Sequence, residues 1–263
     1  MTALRAGHPR LQELAALTRR WYLQLVRDRL NLGLTLLQPA FWLVFFGGAV
    51  RRMVDDRVTG TPDYVSFLLP GVVAFTAIGT SISGAVPLLW DKETGYLDKL
   101  MSMPIARASL LGSRLAFQAA VTVVQVAVIL LVAAAMGVRV RTGVVGVLVV
   151  LGVTAVLAVA LSAVFLALAF HGPGHTTFFA VTGFVTLPLL FTSNAFVPVE
   201  AMPTWMALVA RANPLTYAIE AMRLLVTSGW GVPVVAHLVG LVGFTALCVL
   251  LTHHRFRTYT SAR

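Results

Sequence analysis

Charged side chains are scarce in this chain. Only 11% of its 263 residues are Asp, Glu, Lys or Arg, whereas soluble domains carry about 25%. Hydrophobic residues reach 58% without counting glycine, and the mean hydropathy is +0.86. A soluble protein of this size cannot bury so much apolar surface, because a large part of any folded surface faces water. The composition excludes a soluble domain and a disordered chain, and it predicts a membrane protein.

Lysine and cysteine are almost absent. The two lysines, Lys92 and Lys99, each follow an aspartate, whereas a phosphate-binding P-loop needs a glycine before its lysine. The chain is therefore not expected to bind ATP by itself. The single cysteine, Cys248, lies in an apolar run and cannot form a disulfide within the chain. No arrangement typical of a catalytic or metal site occurs, so neither catalytic residues nor metal ligands are predicted.

The net charge of +10 would suit a nucleic-acid partner, but the basic residues flank long stretches that contain no charge at all. These stretches cover residues 30–50, 64–90, 115–138, 142–199 and 224–254. A helix needs about 20 apolar residues to cross a bilayer, so the fourth stretch holds two spans, divided at Gly172-Pro173-Gly174. Six spans are predicted, at about 30–50, 64–90, 112–137, 144–170, 177–197 and 233–252.

The orientation of the spans follows from the basic residues between them. Six spans place both termini on one side, and the tails and loops of that side carry 13 basic residues against 7 on the other. Because cytoplasmic loops are enriched in Lys and Arg, both termini are expected in the cytoplasm. The predicted organisation is a cytoplasmic N-terminal tail (1–29), a six-helix membrane domain (30–252) and a cytoplasmic C-terminal tail (253–263). No cleavable signal peptide is expected.

The N-terminal tail has the spacing of an amphipathic helix. Leu14, Trp21 and Leu25 recur at helical intervals, while Arg19 and Arg27 fall mostly on another face. Such a helix just before a span is typical of a segment lying along the membrane surface. A simple basic tail that only sets the orientation is the alternative.

Acidic residues are absent from the predicted spans. Carriers driven by protons usually keep an ionisable side chain inside the membrane, so that class is disfavoured. If the protein moves a substrate uphill, energy is expected to enter from a partner through a loop.

The loop after the second span carries a short apolar face. Leu97, Leu100 and Met101 are spaced i, i+3, i+4, and Pro104 is expected to end the helix near Met103. A short amphipathic helix in a cytoplasmic loop suits the groove of a soluble partner. A solvated connector explains the same pattern equally well.

The segment between the fifth and sixth spans is half apolar, but Arg211, Glu220 and Arg223 interrupt it too often for a span. Its prolines and Asn213 predict short helices lying in the outer leaflet against the protein. Glu220 and Arg223 are three residues apart and can pair on one helix face. A structural role is the default for this pair, and lining an outer gate is the alternative.

Two motifs together resemble the permease subunits of type 2 ABC exporters, the group of daunorubicin-resistance-like drug exporters and polysaccharide exporters. The first motif comprises 91–100 (DKETGYLDKL), Met103-Pro104, Arg107 and Leu111-Gly112. The second comprises Ser193–Phe196 (SNAF), Pro198, Met202-Pro203, Trp205, Asn213-Pro214 and Arg223. The resemblance extends over the whole chain. Tyr96 stands where the broader family often has threonine, which points toward the drug-exporter branch.

The resemblance implies roles for both segments. The loop after the second span would be the coupling helix, which contacts a separate ATPase through Glu93, Gly95, Tyr96, Leu97, Lys99, Leu100, Pro104 and Arg107. The outer segment would form a gate or a structural element through Asn194, Phe196, Pro198, Pro203, Trp205, Asn213, Pro214, Glu220 and Arg223. The implied partners are two ABC ATPase subunits, which bind ATP and Mg, a second or sister permease, and membrane lipid, without nucleic acid.

The function that follows is export of an amphipathic drug-like or lipid-like substrate across a bacterial inner membrane. Substrate would pass between two permeases, along the first, second and fifth spans, with the pathway lined by Phe41, Phe45, Phe75 and Phe191. A permease for lipo-oligosaccharide or polysaccharide is the alternative within this class. A polytopic membrane enzyme and a membrane scaffold are the alternatives from other classes.

Overall fold

The fold is helical throughout. A computed structural model describes residues 9–27, 29–50, 64–102, 107–172 and 174–261, and 88% of these described residues are helical, with no strand among them. The described ranges contain ten α-helices: α1 (Pro9–Arg27), α2 (Arg29–Val50), α3 (Tyr64–Glu93), α4 (Tyr96–Met101), α5 (Arg107–Ala135), α6 (Gly143–His171), α7 (His175–Phe191), α8 (Thr204–Ala212), α9 (Pro214–Thr227) and α10 (Val232–Ser261).

Four helices are long and apolar enough to cross a membrane, namely α3, α5, α6 and α10. They coincide with the second, third, fourth and sixth predicted spans. The remaining two predicted spans correspond to shorter apolar segments, Gly33–Phe45 within α2 and the 17-residue α7. A 17-residue helix extends about 26 Å, slightly less than the roughly 30 Å of a hydrocarbon core. Four of the six predicted spans are therefore long and apolar enough to cross a membrane, and the six-span topology remains a prediction.

Helix α6 is the centre of the bundle and packs against α3, α5 and α10. Its buried positions include several small residues, such as Ala158, Ala160, Ser162 and Ala163. Small side chains let neighbouring helices approach closely. Close packing matters in a membrane because lipid tails are as apolar as the side chains, so the hydrophobic effect does not drive helices together there. One such approach is a hydrogen bond between the hydroxyl groups of Ser162 and Ser81, 3.1 Å apart, which joins α6 to α3.

Helix α1 lies against α5 through an apolar face that includes the buried residues Leu17 and Trp21. The Trp21 ring contacts two guanidinium groups, those of Arg20 and Arg114, 4.5 and 4.4 Å from its centroid. Amphipathic spacing in the sequence thus corresponds to a helix with one face against the bundle. Its predicted position at the membrane surface remains a prediction.

The outer segment begins earlier than the predicted fifth span suggests, because α7 ends at Phe191 rather than near 197. Thr192 and Ser193 donate their hydroxyl groups to the carbonyl oxygens of Pro188 and Leu190, which competes with continuation of the helix. A 3₁₀ turn (Val199–Ala201), α8 and α9 follow. Asn213 caps α9 by accepting a hydrogen bond from the Leu215 N–H at 2.9 Å.

Candidate functional site

The first candidate site is the segment that joins α3 to α5. Helix α3 ends at Glu93, and Gly95 has a φ of 71° immediately before α4. Glycine adopts this left-handed conformation without the steric cost that other residues meet. The turn redirects the chain into α4, whose six residues include four of the eight predicted coupling positions.

Helix α4 presents its apolar face to the protein itself. Leu97 and Leu100 are 1% and 7% exposed and belong to the hydrophobic core. Asp98 and Lys99 are exposed on the opposite side, and Tyr96 is 38% exposed. The interpretation of the apolar face as one that enters a partner's groove therefore changes, because that face is already buried. The side of α4 that remains exposed is its polar side.

The last residues of α3 hold both ends of the turn between α6 and α7. Lys92 Nζ donates hydrogen bonds to the carbonyl oxygens of Phe170 and Gly172, at 2.7 and 2.8 Å. Glu93 Oε1 accepts a hydrogen bond from the backbone N–H of His175 at 2.9 Å, and it lies 2.6 Å from His175 Nδ1. The Trp90 ring also packs against the His175 ring, with centroids 4.5 Å apart. We call these contacts of Lys92 and Glu93 the loop clamp.

A second connection ties helix α1 to the same region. Arg20 pairs with both carboxylate oxygens of Asp91, at 2.8 and 2.9 Å. The Arg20 guanidinium also lies 4.7 Å from the centroid of the Tyr96 ring, in α4. Both contacts come from the same nitrogen, Nη2, so the pair is charge-assisted but is not a two-nitrogen fork. Helices α1, α3 and α4 are therefore joined through one arginine.

The structure brings most of the predicted coupling residues to one end of the bundle. Pro104 lies outside the described residues, and Arg107 begins α5 with a side chain that also lies outside them. Sequence reasoning missed the roles of Arg20, Asp91, Lys92 and His175. Their partners are 71 to 82 residues away along the chain, so no local pattern indicates them.

The second predicted site, in the outer segment, is a buried polar tie. Arg223 is 8% exposed, donates a hydrogen bond to the Asn194 carbonyl oxygen at 2.6 Å and lies 3.4 Å from Glu220 Oε2. Asn194 Nδ2 donates to the same Glu220 oxygen at 2.5 Å. The Arg223 guanidinium also lies 4.0 Å from the Phe67 ring centroid. These contacts join α9 and the turn after α7 to α3, as a structural role requires.

The other predicted residues of the outer segment surround this tie or lie at the surface. Asn213 Nδ2 donates a hydrogen bond to the Leu189 carbonyl oxygen at 2.7 Å, in addition to capping α9 with Pro214 at its first position. Pro198 and Pro203 precede the 3₁₀ turn and α8. Phe196 contacts Phe191, while Trp205 is 67% exposed. A gating role for this segment remains a prediction.

A cavity of about 330 Å³, lined by polar and apolar side chains, lies between α1, α2, α3 and α5, and it was not among the sequence-based expectations. Its buried wall includes Arg114, Gln118 and Gln125, spaced i, i+4 and i+11 on α5. Of the four phenylalanines predicted to line a pathway, Phe75 lines this cavity. The other three, Phe41, Phe45 and Phe191, are more than half exposed on the outside of the chain.

Hydrogen bonds across the cavity wall satisfy backbone groups of the neighbouring helices. Arg114 Nε donates to the Gly84 carbonyl oxygen at 2.7 Å, and Gln118 Nε2 donates to the Thr80 carbonyl oxygen at 2.7 Å. Gln125 Nε2 reaches the Thr35 carbonyl oxygen at 3.1 Å. Arg114 is one of the basic residues that the topology prediction counts with the loop after the second span, although it falls within the third predicted span, 112–137. The spacing of the three polar residues was the signal that would have revealed the wall.

Residues 12–226 match the family described as ABC-2 type transporter, and the chain belongs to that family. It is accordingly a transmembrane transport subunit of an ABC transporter, with the ATPase as a separate partner, rather than an enzyme. The apolar helices and the family together make it a multi-pass membrane protein.

Alignments with named relatives cover most of the chain. A putative transport permease, ycf38, of Porphyra purpurea is 35% identical over 214 residues, which cover 81% of this chain and 73% of the relative. The daunorubicin resistance ABC transporter permease protein DrrB1 of Streptomyces coeruleorubidus is 29% identical over 85% of this chain and 78% of its own length. A probable doxorubicin resistance permease, DrrC, of Mycobacterium tuberculosis is 30% identical over 69% of this chain and 66% of the relative.

Proposed function

We propose that this chain is the transmembrane subunit of an ATP-driven exporter that moves an amphipathic drug-like or lipid-like substrate out of the cell. The observation that carries the proposal is α4, a short helix with an exposed polar side at the place where the family resemblance puts the ATPase contact. The drug-resistance names of two relatives support the cargo class. ATP and Mg belong to two copies of the partner ATPase, and a second or sister permease completes the complex.

The proposed topology has six spans and both termini in the cytoplasm of a bacterium, with the complex in its inner membrane. The excess of basic residues on the side of the termini supports this orientation, 13 against 7. In this arrangement α4 and the loop clamp lie at the cytoplasmic ends of the spans. The Asn194–Arg223 tie lies at the outer ends, where α8 and α9 cover the bundle.

In the proposed mechanism, closure of the ATPase pair displaces α4, and the loop clamp transmits that displacement to the turn before α7. Energy passes only if the ATPase contacts differ between the two states. Lys92 and Glu93, at the end of α3, bind the end of α6 and the start of α7. Movement of α3 is therefore coupled to movement of α7 through these contacts. Helices α2, α3 and α7 would then open a path between two permeases.

The proposal predicts that an ABC-type ATPase co-purifies with this permease. Tagged permease is extracted from its native membrane in mild detergent, and the captured proteins are identified and quantified by mass spectrometry. The expected result is an ATPase at about one copy per permease, with ATP hydrolysis in the eluate. A tagged membrane protein of another class is the control for non-specific capture. Monodisperse permease that captures no ATPase would contradict the proposal.

Breaking the loop clamp at Glu93 is expected to uncouple transport from hydrolysis. In the Glu93→Ala variant the N–H of His175 loses its acceptor, so α4 can move without moving α7. A change in coupling of about 1.4 kcal/mol would lower the ratio of transport to hydrolysis about tenfold. The measurement follows movement of NBD-labelled phosphatidylglycerol in proteoliposomes beside phosphate release by the permease–ATPase complex.

The matched control is Glu200→Ala, an exposed acid outside the loop clamp. Glu93→Gln should recover part of the ratio, since an amide oxygen can still accept from the His175 N–H. An unchanged ratio in Glu93→Ala, at normal assembly of the complex, would remove the loop clamp from the mechanism.

A further inference from the structure

The cavity between α1, α2, α3 and α5 extends from the C-terminal part of α1 into the bundle. Arg114 and Gln125 are eleven residues apart on α5, so they are separated by about 16 Å along the helix axis. This is about half of the hydrocarbon thickness of a bilayer. Polar side chains at such depth are costly and usually mark a binding site or a substrate path. Although Arg114, Gln118 and Gln125 bind carbonyl oxygens of α2 and α3, they also line the cavity, so a ligand there would meet a polar wall.

The cavity is open on one side. Gln24, Gln38, Gly79 and Ser83 line it and are exposed, whereas Trp21, Arg114, Gln118 and Gln125 are buried. A polar mouth thus leads to a buried polar wall. A volume of about 330 Å³ lies at the lower end of the range of small-molecule sites, about 300–1,000 Å³. This volume suits one head group rather than a large molecule.

The charge of the wall selects between ligands. Among the described residues that line the cavity, none is Asp or Glu, and Arg114 is the one with an ionisable side chain. A cation in the cavity would meet the Arg114 guanidinium, and the nearby carboxylate of Asp91 would not compensate because it is already paired with Arg20. A neutral or anionic head group meets no such penalty.

One residue of the wall, Trp21, carries a hydrogen-bond donor for which the described residues provide no acceptor. Trp21 is 1% exposed, and its indole N–H has no hydrogen-bond partner within the described part of the chain. A buried donor without a partner costs free energy, so a shift of the ring that let its N–H reach an acceptor on a ligand would be favourable. The rings of Trp42, Phe75 and Phe117 supply apolar surface beside it. Such a combination suits a molecule with a polar head and an apolar body.

We propose that this cavity binds an amphiphile whose head group accepts hydrogen bonds and carries no positive charge. The site lies within a single permease, between α1, α2, α3 and α5, and does not require the surface between two copies. A transported substrate and a resident membrane lipid share this chemistry. Assignment of the ligand as cargo rests on the proposed function, whereas binding itself does not.

Gly79 allows the cavity mouth to be closed without disturbing the protein. A Cβ added there meets no heavy atom within 4 Å, and the residue is exposed and lines the cavity. Gly79→Leu therefore places a side chain in the mouth, and leucine also has the higher helix propensity. Gly152→Leu is the matched control, because Gly152 is an exposed glycine of α6 with equally open surroundings outside the cavity. Ser83→Leu is a second variant at the same mouth.

The binding experiment uses full-length permease in phosphatidylcholine nanodiscs and three radiolabelled probes that share a dodecyl chain. Their head groups are maltoside, phosphate and trimethylammonium, and empty nanodiscs give the background. We expect saturable binding of the maltoside and phosphate probes and none of the ammonium probe. Gly79→Leu and Ser83→Leu should each raise Kd about tenfold or more, and Gly152→Leu should leave it within about twofold. Equal binding of the ammonium probe, or binding unchanged in both mouth variants, would overturn the proposal.

The source of the ligand is separated by adding the co-purified ATPase. Stimulation of ATP hydrolysis by a bound probe, lost in Gly79→Leu, identifies the site as one for cargo. Binding without stimulation identifies a resident lipid and supports the same site. Failure of the ATPase to co-purify would contradict the proposed function and leave the nanodisc result unaffected, so the two failures are distinguishable.

Discussion

Leu97→Asp is expected to remove most of the folded permease rather than only its contact with a partner. Leu97 is 1% exposed within the hydrophobic core, so the substitution buries a carboxylate without a partner. Buried unpaired charges belong to the small class of substitutions that cost more than about 4 kcal/mol. The monodisperse fraction in size-exclusion chromatography of a fluorescent fusion should fall to the background. Leu97→Met, which nearly conserves volume, should retain it.

The exposed side of α4 should respond in the opposite way. In the double variant Asp98→Lys and Lys99→Asp, both side chains remain in solvent, so the fold is retained while the charge pattern offered to the ATPase is exchanged. Less ATPase should then co-purify with a normally folded permease. A monodisperse Leu97→Asp that lacks only the ATPase would instead identify the apolar face as the contact surface, and it would contradict the assignment made here.

Arg223→Met is expected to destabilise the outer half of the molecule more than any exposed substitution there. It removes the hydrogen bond to the Asn194 carbonyl oxygen and leaves Glu220 with Asn194 as its described side-chain partner. Because the Glu220 carboxylate is partly exposed and stays solvated, the main loss is the charge-assisted hydrogen bond to Asn194, about 1.5–3 kcal/mol, or roughly 3–12 °C in the melting temperature of a chain this size. The melting temperature in detergent, followed by tryptophan fluorescence, measures this.

Two comparisons make the Arg223 result specific. Arg211→Met removes an exposed arginine of the neighbouring helix α8 and should shift the melting temperature little. Arg223→Lys should fail to restore stability, because an ammonium group cannot reproduce the two directions in which the guanidinium donates. Equal melting temperatures for Arg223→Met and Arg211→Met would show that the tie contributes nothing to the fold.

Local patterns predicted much of the helical organisation. Charge-free stretches located the four long apolar helices, and the spacing of Leu97 and Leu100 located α4. The i, i+3 spacing of Glu220 and Arg223 predicted their pairing. Each of these features depends on residues that are close along the chain, so a local pattern in the sequence is enough to predict it.

The remaining features depend on distant partners or on a choice between two environments. Amphipathic spacing in α4 shows that Leu97 seeks burial, but not whether its own protein or a partner buries it. The partners of Lys92 lie 77 to 80 residues away, and no rule of spacing connects them. Arg114 falls within the predicted third span, but its buried role could not be predicted because its partner, the Gly84 carbonyl oxygen, is 30 residues away.

The order of the two residues in the loop clamp has a consequence of its own. Peptide dipoles make the carboxyl end of α6 partly negative and the amino end of α7 partly positive. Lys92 meets the first and Glu93 the second, so each side chain opposes the polarity of the helix end that it binds. Exchanging the two would preserve composition and net charge but would set like polarity against like at both ends. The order Lys92 then Glu93, and not only the presence of one base and one acid, therefore matches the ends of α6 and α7 that bind to the end of α3.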